Sequence, residues 1–111
     1  MARTTFSGPV KSNNGFIAGS GATLTKVLQG SATLTFPAIS TVSQDTQTLT
    51  VTGAAVGDEV ILALPAAPTA GIVFNAFVSA ANTVSVRATN ITAGSVTPGA
   101  ATYGVIVLAA S

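Results

Sequence analysis

The stretch Ala80-Ala81-Asn82-Thr83-Val84-Ser85-Val86-Arg87-Ala88-Thr89 decides the fold. Val84, Val86 and Ala88 alternate with Thr83, Ser85, Arg87 and Thr89, the two-residue period of a strand with one face buried and one wet. Ala80-Ala81-Asn82 is a tight connection, and Gly71-Ile72-Val73-Phe74-Asn75-Ala76-Phe77-Val78 ahead of it is a second β-type run, so the pair predicts a hairpin. Phe74 and Phe77 differ in parity. One strand therefore offers an aromatic ring to each face, unless a bulge brings both to the core.

Further along, Asn90 to Ala100 is a Gly/Pro/Thr loop and Thr102-Tyr103-Gly104-Val105-Ile106-Val107-Leu108 is the last strand. In the other direction, Glu59-Val60-Ile61-Leu62-Ala63-Leu64 is nearly continuous in apolar residues. Such a run predicts a central strand covered on both faces, or one at a subunit interface. Gly53 to Asp58 is a turn, Gln47 to Thr52 alternates with Leu49 and Val51 inward, and Ser40 to Thr46 is a polar loop. Ala22 to Leu28 and Ser31 to Phe36 flank Gln29-Gly30, a pair able to close a hairpin, though longer connections are open. No segment carries a helical period with a capping box. The expected fold is all-β, an antiparallel β-sandwich or jelly-roll-like barrel over residues 21–111.

Residues 1–20 differ from the rest. Thr4-Thr5-Phe6-Ser7-Gly8-Pro9-Val10-Lys11-Ser12-Asn13-Asn14-Gly15-Phe16 is rich in breaker residues and lacks sustained alternation. It nonetheless carries large apolar side chains at Phe6, Val10, Phe16 and Ile17. A frayed tail has little use for them, whereas an extended N-terminal arm would use them as anchors on another surface. Fully extended, such an arm reaches about 65 Å at roughly 3.3 Å per residue.

The chain has 111 residues and a net charge of +1, with 48% hydrophobic and only 6% charged residues. An average domain is roughly one-quarter charged, and a monomer with so few charges is poorly defended against self-association. A surface largely covered by partners follows, with a neutral Thr/Ser coat as the alternative. Arg3, Lys11, Lys26 and Arg87 are scattered along the chain, unlike the clustered bases of a nucleic-acid binder. No apolar run approaches the roughly 18–20 residues of a membrane helix. The opening segment lacks the apolar stretch of a secretory signal, so cytosolic synthesis is expected. Neither nucleic acid nor membrane is an expected partner.

The chain contains no His, Cys or Trp, which removes the His general base, the Ser-His-Asp triad and the common zinc sites. Asp58 and Glu59 are the only adjacent acids, and neighbouring strand residues point to opposite faces. With Asp45 alone in a polar loop, the three acids make a poor calcium site. Arg87 is placed to pair with Asp58 or Glu59 across a sheet or a subunit boundary. The glycines fall into no phosphate-binding motif. We expect no catalytic residues, no metal and no cofactor.

Two stretches carry a resemblance. Leu49-Thr50-Val51-Thr52-Gly53-Ala54-Ala55-Val56-Gly57-Asp58-Glu59-Val60 and Phe77-Val78-Ser79-Ala80-Ala81-Asn82-Thr83-Val84-Ser85-Val86-Arg87, followed by a Gly/Pro loop and the strand Tyr103–Val107, resemble a module of tailed-bacteriophage structural proteins. The opening Thr4–Ser12 is similar to leader segments of phage head proteins. The resemblance covers most of residues 31–108 and implies a capsid decoration (cement) protein, or a head-fibre or tail-associated relative with a host-surface or glycan-binding role. It implies a homotrimer on the virion, at the outer surface of the major capsid protein shell, made in the host cytoplasm and gripping the shell with a terminal arm. On that reading Phe6, Val10, Phe16 and Ile17 are the partner contacts. One Tyr and no Trp argue against a sugar-binding face, and the missing His argues against a hydrolase or lyase on the same scaffold.

Overall fold

The computed structural model describes residues 3–110. Seven strands form in chain order: β1 (Phe16–Ile17), β2 (Thr23–Phe36), β3 (Gln44–Thr50), β4 (Glu59–Ala63), β5 (Ile72–Ala80), β6 (Thr83–Asn90) and β7 (Gly99–Ala110). They make two antiparallel sheets, one ordered β1-β2-β7-β4 and the other β3-β6-β5. The chain passes between sheets after β2, β3, β4 and β6, leaving β1–β2 and β5–β6 as the consecutive antiparallel pairs within one sheet. The architecture is an all-β sandwich with no helix among the described residues; the strands lie in two separate sheets and not in one closed barrel.

The alternation that defines β6 does what its period requires. Val84, Val86 and Ala88 are fully buried, while Thr83, Arg87 and Thr89 lie on the outer side. The turn before them uses Asn82 in the left-handed region, at φ 61°, where Asn is tolerated better than most residues. Asn82 also ties this turn to the loop after β3. Its side-chain oxygen accepts from the Gly53 N–H at 2.8 Å, and its own N–H donates to the Ala54 carbonyl at 2.9 Å.

Three rings join the sheets. Phe36 of β2 meets Tyr103 of β7 edge-on at 5.7 Å and Phe74 of β5 at 5.9 Å, and Phe74 and Tyr103 are 5.6 Å apart. Offset and edge-on geometries suit the ring quadrupoles. Burial pushes the Tyr103 phenol pKa up. Phe74 and Phe77 do face opposite ways. Phe74 joins this core, and Phe77 lies outside beneath Arg87, whose guanidinium carbon is 4.9 Å from the ring centre.

Several expectations are corrected. Gln29-Gly30 closes no hairpin, because β2 runs unbroken through it and pairs with β7 from Leu24↔Ala110 to Phe36↔Gly99. Gly30 marks a close approach of the two sheets instead. A Cβ there would stand 2.7 Å from a Val51 methyl, nearer than real Cβ contacts come. β4 is not a central strand covered on both faces; it is the edge of its sheet, with Val60 and Leu62 half-buried and Glu59, Ile61 and Ala63 exposed. The polar segment before Leu49 enters β3 at Gln44, because pairing with β6 supplies its backbone partners.

Within the chain Arg87 pairs with neither Asp58 nor Glu59. It lies on the three-stranded sheet, where its Nε donates to Thr46 Oγ1 at 3.4 Å. Asp58 instead meets Lys26 at 2.8 Å.

A candidate assembly surface

Register places the outer face of the four-stranded sheet row by row. Gln29, Ile106 and Ile61 stand side by side on β2, β7 and β4. One step along are Val27, Leu108 and Glu59; one step the other way are Ser31, Gly104 and Ala63. Directly paired residues of antiparallel strands share a face, so Val27, Leu108, Ile106 and Ile61 form one patch. Val27 is 61% exposed, Ile61 56% and Ile106 38%.

The arm meets the margin of this face. A β-bulge between Leu24 and Lys26 shifts the register. Leu24 pairs with Ala110 and Val27 with Leu108, and Ala110 and Leu108 are two apart, so Leu24 lies on the side of Val27. Phe16 pairs with Leu24 and shares that side; Ile17, paired with Thr23, points the other way. An open cleft of about 310 Å³ lies here, lined in part by Val10, Phe16, Leu24 and Val27.

The arm is anchored by its own turn. Ser12 Oγ donates to the Gly15 carbonyl at 2.7 Å, and Gly15, at φ 93°, packs against the Leu24 carbonyl where a Cβ has no room. The four arm residues singled out in the sequence are all exposed. Val10 and Phe16 come together in the cleft, while Phe6 and Ile17 lie outside it.

Electrostatics leave the patch nearly neutral. Glu59 is the single charged residue at the outward positions of β2, β7 and β4. Lys26 lies on the inner row, where its Nζ donates to Asp58 Oδ2 at 2.8 Å and to the Gly53 carbonyl at 2.9 Å. The Lys26 hydrogen bond, helped by the Ala55 N–H, holds the Asp58 carboxyl below its ordinary pKa. Among the described residues no group of three or more acids comes together, and no helix is long and apolar enough to cross a membrane.

The sequence offers Glu59–Leu64 as a strand at a subunit interface but does not place β2 and β7 beside it. The signal was the exposed parity of β2, β7 and β4, legible only once their register was known. Comparison with protein-family models, curated proteins and solved structures finds no match to this chain.

Proposed function

We propose that the protein is a passive assembly component, a capsid decoration protein that binds the outer surface of a major capsid protein shell and bridges its capsomers. The observation that supports it most is the exposure of Phe6, Val10, Phe16 and Ile17 at the N-terminal side of the sandwich, in a chain that is only 6% charged. Such side chains lower the free energy when they leave water, by about 25 cal/mol per Å² of apolar area. An arm burying several hundred Å² would contribute several kcal/mol before ordering costs, and many copies per shell multiply the effect. The phage setting comes from the resemblance of the Leu49–Val60 and Phe77–Arg87 stretches.

The test is co-sedimentation with intact capsids of the full chain and of a chain lacking residues 2–18. The full chain is expected to pellet with shells and raise their resistance to heat. The shortened chain should stay folded, keeping its β-type circular dichroism, and remain in the supernatant. Equal decoration by the shortened chain ends the role of the arm; no decoration by the full chain ends the proposal.

A further inference from the structure

The outer face of the four-stranded sheet has a shape that matches itself. Ile61 and Ile106 make a ridge across β4 and β7, and the adjacent row, Ala63 and Gly104, is a hollow. A Cβ built on Gly104 would meet Ala63 Cβ at 3.6 Å and no other side chain within 4 Å, so the hollow opens outward. Ridge and hollow are two residues apart along the strands, about 6.6 Å. A two-fold axis between the rows would set the ridge of each copy into the hollow of the other. We propose that two copies of this chain pair face to face in this way, through Ile61, Ile106, Ala63 and Gly104.

Size and charge favour a second sheet as the occupant. Three strands spaced about 4.8 Å, the longer two running some 36 Å, present roughly 450 Å² in projection. Counted over both copies this is about 900 Å², the size of a weak, reversible interface. A single extended peptide covers a strip about 4.8 Å wide and leaves most of the patch wet, whereas a sheet covers it whole. Interface centres are depleted in charge. The one charge here, Glu59, lies a row beyond the ridge on the side away from the hollow, so the two-fold keeps the two carboxylates apart.

This pairing does not depend on capsid binding, because it is measured on purified full-length protein without shells. Sedimentation equilibrium at about 100 μM, where weak pairs populate, is expected to give about twice the 10.8 kDa of the chain. Ile61→Asp should raise the dissociation constant at least about 30-fold, as loss of a central contact does. Gly104→Val fills the hollow without touching the core, so it should keep the fold and still abolish pairing. Thr48→Asp, on the opposite outer face, should leave the mass unchanged. A monomer at this concentration overturns the proposal. A mass three times that of the chain restores the trimer that the resemblance implies and overturns the two-fold pair, as does a dimer indifferent to Ile61→Asp and Gly104→Val.

Discussion

On the outside of the three-stranded sheet Arg87 lies over Phe77 and donates to Thr46, and Ser85 donates to Ser79 at 2.7 Å. On the outside of the four-stranded sheet Val27, Ile61, Ile106 and Leu108 stand beside one another with one carboxylate at their margin. Both faces are outward parities of antiparallel strands over the same core. The first is mostly Thr, Ser and Asn, bonds several of these within the chain, covers Phe77 with a cation and leaves Val73 as an isolated exposed apolar side chain. The second is left with apolar area that only another surface can remove from water. Low charge alone does not make a face adhesive; what differs is whether the chain supplies its own cover.

The severest test removes the core that both faces share. Phe36→Ala deletes the ring that Phe74 and Tyr103 both touch and should cost about 3–5 kcal/mol, a large part of a typical domain's 5–15 kcal/mol. Urea unfolding should show the loss as one transition. Amide exchange that opened β2, β7 and β4 while β3, β6 and β5 stayed protected would break the comparison, because the faces would then belong to separately stable units.

A smaller change sharpens it. Arg87→Ala uncovers Phe77 and removes the Thr46 hydrogen bond, at an expected cost of about 0.5–1 kcal/mol in the urea midpoint. The association state should not move; if it did, the three-stranded face would also be a docking surface.

The smallest expected effect is a pH slope. Asp58 has a folded pKa below its unfolded value of about 3.9. The Lys26 pair therefore stabilises fully above about pH 4 and is lost as pH falls through the folded value. The stability difference between wild type and Asp58→Asn should be constant from neutrality to about pH 4 and shrink below it. A difference that persisted to pH 2 would place the effect in the Gly53–Asp58 turn and not in the ion pair.

Much of this was legible in the residues. Val84, Val86 and Ala88 showed the buried side of β6, and Leu49 and Val51 showed the inward side of their segment, because a two-residue period states parity directly. Parity says nothing about neighbours. Gly30 looked like a turn because glycine serves turns and close approaches alike, and only the position of Val51 across the sandwich separates the two. Glu59–Leu64 looked central because its apolar run is continuous, yet half of that run points outward from an edge. In the sequence Asn90 opens a Gly/Pro/Thr loop, yet its side chain is fully buried. Its amide donates to the carbonyls of Ile39 and Gly94 and accepts from Thr92, closing one end of the sandwich with bonds that no short-range pattern announces. Phe6, Val10, Phe16 and Ile17 stand out by composition; the cleft that Val10 and Phe16 line depends on the bulge at Thr25.

The longest ladder joins β2 to β7, with four strands between them in sequence, from Leu24 opposite Ala110 to Phe36 opposite Gly99. During translation β2 therefore waits, without its main partner, until β7 has been made. Proteins dominated by such distant pairings fold in milliseconds to seconds, not microseconds. Throughout that delay the nascent chain carries an unmatched fourteen-residue strand, available to the same strand of another ribosome's product. Yield in the cell should thus depend more on temperature and expression rate than the final stability would suggest.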